Sequence, residues 1–456
     1  MSGTTSPDTD RQAALDSIEP DERRAALAAL VQRGPGPGPA GSRHNMHVHS
    51  FFSFSSQMYS PSHIVWRARQ EGLFAVGLCD FDVLDGLEEF LAAGTLCGVR
   101  TCVNLETRVY WADCADTEIN SPGEPGISYL VGLGFVREPA LDSEQAESLA
   151  ALRALAERRN RALVDRINKA CPEIAIDYAD DVLPLTPNGN ATERHIVRAY
   201  RQRLSRTTEP ARDGRLWSEL LACKEEDRPA LEADTKALED RLRTKLVKRG
   251  GLGYRTPSAA LFPTAERFIA CVRACGALPA AAWLDGTRGL EREPRKMLGA
   301  LREKGVQALN IIPDRDWNIP DPAERAQKVE MLGQIIRLAE AFGMPVNIGT
   351  EMNKTGQPFA DDLDVDALRP HAPVFLKGAR IMVGHSRAAR YAEFPYVGEA
   401  ADSEFGPDTS AKNAFFEALG ALPPLARSQA ESLAQAEPAA AFATLRDAAQ
   451  NGRWNG

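Results

Sequence analysis

His47-Val48-His49-Ser50-Phe51-Phe52-Ser53, then Cys79-Asp80-Phe81-Asp82-Val83-Leu84-Asp85-Gly86, then Asn104-Leu105-Glu106, are the three stretches on which the reading of this chain turns. Residues 44–50 read as a short strand running into a polar loop. Residues 74–80 (FAVGLCD) read as a buried strand with acids at its carboxyl end, and residues 100–111 (RTCVNLETRVYW) as a strand bearing Glu106. Alternate residues of a strand share a face, so His47 and His49 point the same way. Two co-facing imidazoles at a strand end suit one Zn²⁺, Mn²⁺ or Fe²⁺ ion. The pair alone fits two unrelated histidines equally well. Asp80 suits metal ligation or general-base work. Asp82 and Asp85 stand where a cap for a helix over 84–96 belongs, and capping is the role expected of Asp85. Glu106, late in an apolar strand, needs a partner: a metal, or Arg108 on the same face.

Working outward, strand and helix patterns alternate. Residues 60–73 open with Ser-Pro and continue with helical periodicity. Further strands are expected at 128–135, 277–285, 306–312 and 344–351, with one more at 379–385 (ARIMVGH). Alternation of this kind implies a parallel sheet or barrel, with its chemistry at the carboxyl ends of the strands. Asp80, Glu106, Asp285, Asp314 and Glu351 all fall near such ends. Residues 140–250 break the rhythm with long charged helices and read as an insertion. A helix ending at residue 33 and a Gly/Pro linker at 34–41 precede the barrel. The organisation expected is therefore an N-terminal segment 1–43, a barrel over 44–410 and an Ala-rich helical tail 411–456, fraying at NGRWNG.

The 456 residues carry a net charge of −9, which argues against generic binding to nucleic-acid phosphates or anionic membranes but leaves room for a local basic pocket. No apolar run is long enough to span a bilayer, and the first twenty residues are polar. Eight cysteines without a C-x-x-C pair fit reduced, mostly buried thiols. A cytoplasmic location is the expectation.

The ordered motifs resemble the PHP (polymerase and histidinol phosphatase) family of metal-dependent phosphoesterases. Its H-x-H-[ST]-x-x-S opening is similar to residues 47–53, its T-D-H-D-x-x-x-G to 79–86, and its G-x-E to 104–106. The resemblance is good over 44–136 and looser over 190–355. It implies an α/β fold, a distorted (β/α)7 TIM-like barrel with a helical insertion, holding metals at the strand ends. The departures are Phe81 and Trp283 where ligand histidines are expected, Glu351 and Asn353 in place of Asp and His, and Ser55 near a third early ligand. They imply one or two divalent ions (Mn, Zn or Fe), with His47, His49, Glu106, Glu351 and Asn353 as candidate ligands.

Asp80 is then a base or an orienting group for an imidazole, and His195 and His385 are candidate proton carriers. Arg194 and Lys354 are candidate phosphate contacts. The polar loop 314–318 after a strand is a candidate pocket wall. A solvated helix face for His195, a helix-terminal role for His385 and a plain loop for 314–318 are the alternatives. His44 and His63 read as structural or surface residues. The expected function is a metal-dependent hydrolase, a phosphoesterase acting on a phosphorylated small molecule or nucleotide. The alternative is a catalytically silent barrel that serves as a binding or scaffolding module. Hydrolysis of a non-phosphate substrate is a third reading.

Overall fold

The computed structural model describes residues 7–34, 41–206, 216–256 and 258–454. Most of the 34–41 linker and the last two residues of the NGRWNG end lie outside the described residues. Seven strands form one sheet in chain order: β1 Asn45–Val48, β2 Ala75–Phe81, β3 Arg100–Tyr110, β4 Ile127–Leu133, β5 Leu278–Trp283, β6 Ala308–Ile311 and β7 Val346–Ile348. A parallel bridge from Val48 to Glu351 joins the last strand's end to the first, and the sheet closes as a TIM-like barrel.

One strand departs from the parallel expectation. β4 runs antiparallel to both β3 and β5. The reason is the connection: residues 111–126 hold only a 3-10 turn at Ala112–Cys114. A parallel neighbour needs a crossover, usually a helix, and none fits here.

Side chains alternate along each strand. Val76, Leu78, Val103, Leu105, Leu309 and Ile348 belong to the larger apolar cluster, together with helix residues such as Phe90, Phe268 and Ile335. The opposite face carries Cys79, Cys102, Val131, Ala280 and Ala308, which cluster with Ile381, Met382 and Val383. Those three lie on the helix Ala372–Ala392, so residues 379–385 are helical and not a strand. Gly378 permits this packing, since a Cβ there would sit 1.8 Å from the Val346 carbonyl oxygen at the amino end of β7. The helix therefore plugs the amino end of the barrel, and the carboxyl end is left for chemistry.

The segment between β4 and β5 opens with the helix Glu144–Ala170, capped by the Ser143 hydroxyl. Residues from Leu163 to Val247 form an apolar cluster of their own around Tyr200, Ile196 and Trp217. Asp85 ties this segment to the barrel: it accepts from Arg153 Nη2 at 2.5 Å and Asn188 Nδ2 at 2.8 Å. It caps no helix, because the position before Leu87–Cys97 is Gly86.

Candidate metal centre

β1 is buried along its whole length, and its irregular pairing with β2 brings the chain into the loop Ser50–Tyr59. His47 Nε2 and His49 Nε2 lie 3.5 and 3.6 Å from the same atom, Glu106 Oε2. All three atoms are buried and without a hydrogen-bond partner. Three stranded polar atoms converging on one point is a costly arrangement unless something bonds them. Two imidazole nitrogens and a carboxylate oxygen within 4.8 Å of one another form a ligand set for a divalent transition metal. The residues present fit the ion that the sequence implies.

The other ring nitrogens fix the ligands. His47 Nδ1 donates to Asn310 Oδ1 at 3.2 Å, which also accepts from Asn347 Nδ2 at 2.8 Å. His49 Nδ1 donates to Ser53 Oγ at 3.2 Å, and Ser53 Oγ donates to Asp80 Oδ1 at 2.7 Å. With its proton placed on Nδ1, the His49 Nε2 lone pair faces the centre. Burial lowers His47, but Cys79 and Glu106 outweigh it and raise it, so its Nε2 would give up a proton to a bound cation. Burial, together with positive charge on His47, pushes His49 down to about 3. His49 is thus a neutral imidazole at working pH. Burial raises the carboxyl of Glu106, and Glu351 nearby adds to this against the opposing pull of His47. A cation at the centre removes that penalty.

Asp80 is neither ligand nor exposed base. It accepts from Ser50 N at 2.8 Å, Ser50 Oγ at 2.6 Å and Ser53 Oγ at 2.7 Å, all buried. Burial pushes its carboxyl up to about 6, against the pull of these three donors. Of the two sequence readings for Asp80, this geometry supports the orienting one.

Glu351 stands beside the centre but outside the converging trio. It has a left-handed backbone, φ 62°, rare for a non-glycine residue. Its backbone is sewn to β1 by Glu351 N to His47 O and His49 N to Glu351 O, both 2.8 Å. Its two carboxylate oxygens take Arg315 Nη2 at 2.7 and 2.8 Å. Burial raises its carboxyl, but Arg315 and the two histidines outweigh that and hold it at about 2. Of the candidate ligands, His47, His49 and Glu106 thus converge, and Glu351 pairs with an arginine. Asn353 lines the cavity beside the centre.

The cavity over the centre has a volume of about 610 Å³, enough for a small ligand. Its lining carries eight Arg or Lys against five Asp or Glu, in a protein whose net charge is −9. Arg194 and Lys354 both line this cavity. Arg194 makes no ion pair among the described residues and lies 5.7 Å from the Phe54 ring centre. Arg108, expected as the alternative partner of Glu106, pairs with Glu124 at 3.1 Å instead. Asp82 accepts from Thr107 Oγ1 and faces Arg159 of the insertion at 3.5 Å.

Two expected proton carriers do not join the centre. His385 sits at the amino end of the barrel, donating from Nε2 to Gly134 O at 2.9 Å and accepting from Tyr396 N at 3.0 Å. His195 is fully buried, not on a solvated face. It closes a capping box with Thr192, whose backbone N–H it accepts at 3.0 Å. Burial and Arg198 push His195 down to about 3. His63 pairs with Asp16 at 2.7 Å, and His44 is buried against the Ser42 carbonyl.

Phe81, at the expected ligand position, stacks on His49 with ring centres 4.7 Å apart and planes 12° apart. Trp283 is buried at the end of β5 with its indole nitrogen unpartnered. Two residues beside the centre escaped the sequence reading, Asn310 and Ser53 as a relay, while Arg315 lies in the polar loop 314–318 that the sequence offered as a pocket wall. Asn310 carried a signal, being the one polar residue within the apolar run Ala308–Ile311. Arg315 carried only its place in a polar loop.

No family model matches the chain. It is 26% identical over 156 residues to a 5'-3' exoribonuclease of Haemophilus influenzae, a match covering 34% of this chain. The chain spans about half the length of that relative, 49%. Among solved structures, it is similar to a "putative metal-dependent phosphoesterase" of Bifidobacterium adolescentis (20% identity, 75% of this chain, 98% of that one, TM-score 0.44). It is also similar to an amidohydrolase of Chromobacterium violaceum with bound sulfate and no metal (17% identity, 70% and 91%, TM-score 0.48).

Proposed function

We propose that the chain is a metal-dependent phosphoesterase of the PHP type, acting on a phosphorylated small molecule or a nucleotide. One observation carries this reading: three buried, unpartnered ligand atoms on His47, His49 and Glu106 under an electropositive cavity. A divalent ion there supplies Lewis-acid chemistry, polarising a phosphoryl oxygen and making water a usable nucleophile near neutral pH. The chain's own residues do the rest. Asn310 and the Ser53–Asp80 pair hold the imidazoles in register. Arg194 and Lys354 draw the anionic substrate in, and the insertion's Arg159 and Lys248 line the far wall. The partial match to a relative named for acting on RNA ends supports a nucleotide substrate.

Eight free cysteines and a helix set with none apolar enough to cross a membrane, among the described residues, support work in the cytoplasm. The barrel over 44–410, with its insertion at about 140–250, is taken as one working unit. Metal content of the purified protein, followed by an Mn²⁺-dependent screen on aryl phosphates and mononucleotides, tests the proposal. Absence of metal uptake, with full activity in a His47→Ala/His49→Ala variant, sinks it. A silent binding module is the second reading, favoured by Phe81 filling a ligand position; bound metal without turnover supports it.

A further inference from the structure

We infer that Arg315 is a catalytic residue of this site, a built-in cation that binds the phosphoryl group beside a single metal ion. The inference rests on the phosphoesterase reading and gives one residue of the polar loop 314–318 a role. Arg315 follows β6 on the short helix Asp314–Trp317, at the carboxyl end of the barrel. It lines the same cavity as Glu106 and Glu351, and 41% of its side chain remains accessible there. Its charge is felt by both His49 and Glu106, so it stands close to the ligand trio.

Its bonding pattern is one-sided. Both oxygens of Glu351 bond one nitrogen, Nη2, at 2.7 and 2.8 Å. Among the described residues, Nη1 and Nε donate no hydrogen bond to the protein, and neither is buried dry. A guanidinium offers five N–H donors in a planar fork matched to phosphate. Glu351 fixes one arm of that fork, and the other arm is left toward the cavity. Glu351 is itself held rigidly, with a left-handed backbone stitched to β1 on both sides. The strain at Glu351 therefore serves to aim Arg315.

This arrangement also accounts for the carboxylate missing from the trio. Glu351 is an acid outside the trio, and Arg315 neutralises it. A fixed guanidinium then supplies positive charge beside the metal and pays no ion-release cost. Charge of this kind, aimed where phosphoryl oxygens gather negative charge, is what phosphoryl transfer needs most.

The test uses inorganic phosphate as probe, on the full chain, both metal-free and Mn²⁺-loaded. Arg315→Ala is expected to weaken phosphate binding at least tenfold in both forms, with Mn²⁺ stoichiometry unchanged at one per chain. Arg315→Lys restores part of the affinity, because it keeps the charge and loses the fork. Arg315→Ala leaves Glu351 buried without its partner, so the double variant Arg315→Ala/Glu351→Gln guards against misfolding. It is expected to fold and to show the same loss. Phosphate affinity equal to wild type in a folded Arg315→Ala or double variant overturns the inference. A second Mn²⁺ in wild type overturns it too. Wild-type protein that takes up no Mn²⁺, yet shows Arg315-dependent phosphate affinity, sinks the hydrolase reading and still supports the anion contact.

Discussion

Replacing Asp80 separates two roles that a buried acid at a strand end can have. Its carboxylate accepts three hydrogen bonds of 2.6–2.8 Å, from Ser50 N, Ser50 Oγ and Ser53 Oγ. Asparagine keeps one acceptor oxygen, so it can retain the two bonds at Oδ1 and must lose the one from Ser50 Oγ. A buried donor left without an acceptor costs about 1–3 kcal/mol. Asp80→Ala strands all three donors and is expected to cost about 3 kcal/mol or more by the same reckoning. Ser53 then loses the partner that orients it toward His49 Nδ1. Removing the support of a ligating imidazole weakens metal binding roughly 10–100-fold. Denaturant titration gives the stability, and competition with a chelator for Mn²⁺ or Zn²⁺ gives the affinity. Asp80→Ala that matches wild type in stability and metal affinity, but loses turnover, would refute the clamp and make Asp80 the base.

Asn310→Leu removes the acceptor of His47 Nδ1 and is expected to weaken metal binding by a similar factor of about 10–100, measured by the same competition. His385→Leu leaves Tyr396 N–H and Gly134 O unpaired; it is expected to cost about 2–4 kcal/mol while metal affinity stays unchanged, and a metal defect would contradict its placement at the amino end. Burial raises the carboxyl of Glu193, but Lys248 and Arg243 outweigh it and hold it well below the ordinary 4.5. That stabilisation is present above pH 4.5 and is lost as pH falls through the folded value. Glu193→Gln should therefore lower the urea midpoint at pH 7 and narrow the gap from wild type under strong acid. Asp361 has the opposite sign. Both oxygens are buried without partners, and burial, then Asp314, raise its carboxyl from 3.8 to about 8. The fold holds the proton more tightly than the unfolded chain, so stability is lost as pH rises between those values. Asp361→Asn is expected to raise the melting temperature at pH 8 and leave it unchanged near pH 4.

The barrel was legible because strand periodicity and the order of three motifs point the same way. His47, His49 and Glu106 lie within one early stretch, at the end of β1 and on β3 with β2 between them, and the order of the three motifs points to their meeting. β4 was misjudged because direction depends on the connection, and residues 111–126 carry no strong pattern. The helix holding 379–385 was misjudged because an apolar run of seven fits a strand as well as a helix plugging a barrel. Glu351 was placed correctly at a strand end, yet its partner was not foreseeable. Arg315 is 36 residues away in the chain, and only the β6–β7 pairing brings the two together. His195 and His385 lie apart from the converging trio, both buried and hydrogen-bonded to backbone, which composition alone does not reveal.

The closure between first and last strands sets a timetable for the centre. His47 leaves the ribosome 263 residues ahead of Asn310, the group that orients it. At roughly 5–20 residues per second, that gap lasts tens of seconds. Over that interval the two imidazoles exist without the Asn310 acceptor, and for longer still without the Glu351 backbone that stitches β1 into the ring. A nascent chain halted before β6 carries every ligand of the trio and lacks the frame that makes them a site. Under the proposed metal site, full metal affinity is thus expected only once the barrel has closed.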